Sequence, residues 1–142
     1  MSPLPISVDA SHIDLSPRVF TSTAVAGSPA LAAETTVCTV TCSGDLASTL
    51  GVVIVAFCAL TVGTSGSAVT AKIRRTDTSG TTVVSTGAMT GGVAAGNLLS
   101  YTVLGFDSGG FTNGRVYVLT LTITAGAAVS TVSAAGLVAV VV

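Results

Sequence analysis

Few side chains in this sequence could do chemistry, and their spacing argues against most of it. There is one histidine, His12, and there are three cysteines, Cys38, Cys42 and Cys58, in 142 residues. A nucleophile relay needs a base beside a Ser, Thr or Cys. His12 instead lies between Pro5 and Pro17, in a stretch that reads as an extended arm. Paired carboxylates for glycoside chemistry would have to come from Asp45, Asp77 and Asp107. All three stand in turn-forming sequence, where Asp accepts hydrogen bonds from its own backbone. The Gly-rich stretches 63–66 and 87–92 lack the lysine and the following helix of a phosphate-binding loop. Asn113-Gly114 directly before an apolar run is a turn signal. No enzyme is expected.

The cysteines are odd in number, so at least one thiol stays unpaired within the chain. Cys38 and Cys42 fall four apart on one strand face, roughly 13 Å apart at about 3.3 Å per residue, too far for a disulfide. Either could still reach Cys58 on a neighbouring strand. A zinc site would need a fourth ligand that the distant His12 is poorly placed to supply, so neither a metal nor a cofactor is expected.

Lys72, Arg74 and Arg75 form the only basic cluster. Two readings stay open for it. One is a solvated strand end in which Arg75 pairs with Asp77, worth about 0.2–1 kcal/mol. The other is docking of the cluster onto an acidic partner.

The elements that would carry these residues follow from composition and period. Hydrophobic residues make up 49% of the chain and charged ones 8%, against a usual charged share of about 25%. A surface so poor in charge points to burial against partners, as in an oligomer or a larger assembly. Five basic and six acidic residues leave a net charge of −1, which gives no field to attract nucleic acid. No basic segment followed by an apolar one opens the sequence, so a secretory signal is not expected. The most apolar window, residues 50–62, falls short of the roughly 20 residues of a spanning helix, and a membrane partner is not expected.

Residues 1–18 read as an arm. Pro3 and Pro5 fix an extended backbone there, and the segment holds His12 and Arg18. Residues 19–142 read as one domain of eight strands, at about 19–26, 35–43, 51–63, 67–76, 80–86, 97–106, 115–124 and 127–142. In the seventh, Tyr117, Leu119, Leu121 and Ile123 share one face. The seventh and eighth runs, joined at Ala125-Gly126, carry the signature of a terminal β-hairpin. Residues 67–76 and 81–86 form a second, turned at residues 77–80, whereas 87–96 reads as a loop. Residues 51–63 and 137–142 are apolar on both faces and predict strands covered on both sides. For the last of them, one face is expected in the core and the other, with Val140 and Val142, at or near a subunit interface. The fold class is all-β, an eight-stranded jelly-roll-like β-sandwich with an extended N-terminal arm.

The run YVLTLTITAG at 117–126, followed by VSTVSAAGLVAVVV at 129–142, resembles the closing strands of small jelly rolls of the tumour-necrosis-factor and complement-C1q type. Similar Thr-, Ala-, Gly- and Val-rich domains occur among the decoration, or cement, proteins of tailed-bacteriophage heads. That resemblance implies a homotrimer on the outer capsid surface of a virion, with the major capsid protein as partner. It also implies an arm that clasps neighbours through Pro3, Pro5, His12 and Arg18, with Lys72, Arg74, Val140 and Val142 at contacts. A C1q-like or adhesin-type binding head, with ligand or calcium at Asp45, Asp107 and the 87–96 loop, is the alternative; a tail or fibre component is a further one.

Overall fold

The structure is a computed structural model, and it describes residues 18–24, 33–44, 50–61, 63, 68–90, 96, 98–109, 114–124 and 131–142. These form nine strands: β1 (Arg18–Ala24), β2 (Thr35–Cys42), β3 (Val52–Thr61), β4 (Ala68–Arg75), β5 (Thr82–Ser85), β6 (Met89–Thr90), β7 (Leu98–Asp107), β8 (Arg115–Thr124) and β9 (Thr131–Val141). One sheet has the order β1-β9-β3-β7 and the other β2-β8-β4-β5, with β6 also paired to β4. All pairings are antiparallel.

A single long hairpin explains this order. Its tip is the turn between β4 and β5, and along its length β3 pairs β7, β2 pairs β8 and β1 pairs β9. Rolled up, the hairpin brings β9 beside β3 and β8 beside β4. That is the jelly roll, a β-sandwich of two interlocked Greek keys.

Three expectations need correcting. The runs at 115–124 and 127–142 do not pair as a hairpin: β8 and β9 lie in opposite sheets, and β9 takes β1 and β3 as its neighbours. Each run buries one face against the facing sheet, and a local hairpin would have put both in the same layer. Within the 87–96 stretch, read as a loop, Met89–Thr90 adds a short ninth strand. Arg18, assigned to the arm, is the first residue of β1. The β4–β5 hairpin, by contrast, is present.

The core lies between the sheets and follows strand alternation. Ile54, Ala56, Cys58 and Leu60 of β3, with Leu137 and Ala139 of β9, face Tyr117, Leu119, Leu121 and Ile123 of β8 and Val69, Ala71 and Ile73 of β4. At the β7 side the sheets approach closely. A Cβ on Gly105 would stand 2.9 Å from the Val84 Cγ1 atom and 3.2 Å from that of Val83. A larger residue there would push β5 away from the core.

Candidate assembly surface

The outer face of the β1-β9-β3-β7 sheet is apolar across all four strands. Register places Val19, Val140, Val53 and Phe106 in one row and Thr21, Val138, Val55 and Leu104 in the next. A third row holds Thr23, Gly136, Phe57 and Thr102, and Leu98 stands opposite Thr61 further along. Val19, Phe57, Leu98, Leu104 and Phe106 are 44–65% exposed, while Val53, Val55, Val138 and Val140 are half-buried. No charged residue stands in these rows. The strands at 51–63 and 137–142 were expected to be covered on both sides. Among the described residues only their inner faces are covered, because the chain's second sheet has one side to offer.

Two glycines make this face flat. Gly136 lies opposite Phe57, and a Cβ there would meet the Phe57 ring at 2.3 Å. Gly51 holds the Phe106 ring in the same way, also at 2.3 Å. Each ring therefore lies down against backbone instead of standing off the sheet. Such pairing of an aromatic with a cross-strand glycine restores the contact area that glycine lacks.

The outer face of the other sheet is polar, and its two cations, Lys72 and Arg74, share one carboxylate, Glu34. Glu34, just before β2, reaches over β8 to β4: its Oε1 accepts from Arg74 Nε at 2.5 Å and from the Thr120 hydroxyl at 2.5 Å. Its Oε2 accepts from Arg74 Nη2 at 2.9 Å and Lys72 Nζ at 3.2 Å. Arg74 Nη1 donates to Gly80 O and to the Thr82 hydroxyl. The Arg74 bond, acting against partial burial and joined by Thr120 and Lys72, holds the Glu34 carboxyl down at about 2. This network explains why Thr120, on the outward side of β8, is fully buried.

The Arg75–Asp77 pair does not form; Arg75 instead pairs with Asp107. Arg75 shares the inward side of β4 with Ile73, and this aims its guanidinium across the sandwich at the end of β7. Asp107 accepts from Arg75 Nε at 2.8 Å, from Arg75 Nη2, from the Tyr117 hydroxyl at 2.9 Å and from Gly109 N at 3.1 Å. Burial raises its pKa, but the bonds from Arg75, Gly109 and Tyr117 outweigh this and leave it below the ordinary range. Asp77 makes only a local turn, accepting from Ser79 N and Oγ.

Of the residues singled out from sequence, Pro3, Pro5, His12, Asp45, Asn113 and residues 91–95 of the 87–96 stretch lie outside the described residues. Lys72 and Arg74 converge on Glu34. Val140 stands on the apolar face between Val19 and Val53. Val142 is exposed, with its backbone clipped to Gly51 and Leu50. Cys38, Cys42 and Cys58 are free and buried. No group of three or more potential metal ligands occurs among the described residues. Sequence reasoning missed Glu34 and the Asp107–Arg75–Tyr117 triad. The latter had a signal, Arg75 and Tyr117 each sharing the apolar side of a strand, but the partner lay on another sheet.

No protein-family model matches the chain, and no curated protein does. Solved structures do. A chain of the infectious bursal disease virus VP2 subviral particle aligns with a TM-score of 0.55 at 17% identity, over 88% of this chain and 33% of its own length. A chain of infectious bursal disease virus, Gx strain, gives 0.53 at 18%, over 87% and 32%. A chain of the disulfide-linked pili of Bacillus endospore appendages gives 0.43 at 20%, over 89% and 90%. This chain thus spans about a third of the length of the viral chains it matches, and what it shares with them is the jelly-roll fold.

Proposed function

We propose that this chain is a structural subunit of a virion-type particle, joined to its neighbours through the flat, uncharged outer face of the β1-β9-β3-β7 sheet. That face is the observation that carries the reading. From the fractional exposures and typical side-chain areas it offers about 600 Å² of apolar surface, close to the roughly 800 Å² per partner of a standard interface. At about 25 cal/mol per Å² its burial is worth about 15 kcal/mol gross, before the costs of orientation and ordering. The opposite face, polar and carrying Lys72, Arg74 and Glu34, offers no comparable apolar area. Two solved structures with this fold come from a virus, in keeping with a particle role.

The finer reading is a decoration or cement subunit on the outer surface of a bacteriophage capsid, homotrimeric, bound to the major capsid protein and steadied by residues 1–17. Its action is mechanical: apolar area buried over many copies raises the cost of taking the shell apart. The test is to incubate the protein and its Val55→Lys variant with undecorated capsids. Wild type should sediment with the shells and raise their disruption temperature; Val55→Lys should do neither. Equal uptake of both would remove the apolar face from the account.

A further inference from the structure

We propose that residues 6–10 of a second copy of this chain add as a strand to the open edge of β7. The inference rests on the reading of the chain as an assembly subunit, and it assigns a second, backbone-mediated contact. Among the described residues the two strand orders end on β1, β7, β2 and β5, and the two-residue β6 pairs only with β4; of the four end strands, β7 stands apart. The other three carry a feature that discourages pairing with another chain. β1 opens on the charged Arg18, β2 has a register shift between Thr36 and Cys38, and β5 is four residues long with a shift in its own pairing. Short length, charge and bulges are the usual means of blunting an edge.

β7 has none of these. It runs ten residues, pairs with β3 without a register shift, and has no charge or proline before Asp107. Leu98, Leu104 and Phe106 stand exposed along it. Among the described residues its one ladder partner is β3, so no described strand pairs with the backbone N–H and C=O groups of its other edge. An edge of this kind is a template for strand addition.

Residues 6–10 fit it. Ile6, Val8 and Ala10 alternate with Ser7 and Asp9, a period-two pattern of ordinary strand length. Added beside β7, Ile6 and Val8 extend the apolar outer rows, and Ser7 and Asp9 take the other side. Pro5 sits just before the segment, at the start of the added strand, where a missing N–H is tolerated.

Direction decides between the same chain and a second copy. Arg18, Val141, Val52 and Asp107 share one row, so the chain enters β1 at the end where β7 finishes. Residues 11–17 span at most about 25 Å, and the sheet is about 14 Å wide from β1 to β7. By the short path, residues 6–10 of the same chain would run parallel to β7, the less stable pairing. A second copy can lie antiparallel, like every other pair in the sandwich.

The test compares the full chain with Val8→Pro, which removes a backbone N–H that an added strand would use, and Val8→Thr, which keeps strand propensity. Native mass and amide hydrogen exchange are read together. Wild type and Val8→Thr should be oligomeric, with outward-directed β7 amides exchanging at least about tenfold more slowly than in Val8→Pro. Val8→Pro should also be of lower mass. Equal β7 exchange in wild type and Val8→Pro overturns the proposal, as does Val8-dependent protection in a monomer. Val55→Lys separates this contact from the apolar face. If it lowers the mass while wild-type β7 is unprotected, the face stands and strand addition falls; if Val8-dependent protection and mass survive it, strand addition stands and the face falls.

Discussion

Asp107 is 2% exposed, and its four hydrogen bonds tie together β7, β4 and β8. A buried carboxylate with this many donors depends on all of them. Asp107→Asn would leave the Arg75 guanidinium without its counter-charge and is expected to cost about 3–5 kcal/mol, read from urea unfolding. Glu34 gives a pH dependence. Its carboxyl, held at about 2 against an ordinary 4.5, binds its proton more readily in the unfolded chain. Its contribution is therefore complete above about pH 4.5 and lost as pH falls through 2. Asp107 is shifted in the same direction. The urea midpoint should fall on acidification from pH 5 to pH 2, and less steeply in Glu34→Gln. Burial pushes the Cys58 thiol up to about 11 and raises that of Cys42. Neither should react with iodoacetamide at pH 8 in the folded protein, and both should react in urea, followed by mass.

At the scale of elements, β3 and β9 do two jobs at once. Their inward side chains fill the core, and their outward side chains make the apolar face. The glycine–ring pairs link the two. Gly136→Val would force the Phe57 ring off the sheet, and we expect a loss of about 1–3 kcal/mol together with weaker self-association, measured by thermal melting and sedimentation. The β4–β5 turn shows how local and distant signals combine. Its residues are legible as a turn, and the hairpin is there. Yet the Arg75 partner that the turn seemed to supply, Asp77, lies on the wrong side: Arg75 faces inward with Ile73, while Asp77 closes on Ser79.

At the scale of the whole molecule, the two outer faces differ in kind. One carries threonines with the paired charges of Lys72, Arg74 and Glu34; the other is uncharged, with valine, leucine and phenylalanine as its large side chains. Val55→Lys at the centre of the apolar face should leave the unfolding free energy of the isolated subunit within about 1 kcal/mol, since its side chain lies outside the core. The same substitution should halve or further reduce the native mass. A charge at Val140 should act likewise. An unchanged mass in both would mean that this face is not the contact.

The sequence by itself determined the class of the molecule. Strict alternation in 115–124 and 67–76, the turn residues between runs and the absence of a helical period are local properties. They place Tyr117, Leu119, Leu121 and Ile123 in the core without knowledge of any neighbour. The shortage of charge likewise shows on the outer face of the β1-β9-β3-β7 sheet, whose rows hold no charged residue. What only the tertiary structure decided is partnership. Two strands next to each other in sequence, β8 and β9, lie in different sheets, because each needs the opposite layer to bury its apolar face. Arg75 found Asp107, and Lys72 and Arg74 found Glu34, because rolling the long hairpin brings distant residues together at distances that no spacing along the chain encodes. The same rolling decided which side of the doubly apolar strands faces the core and which stays outside.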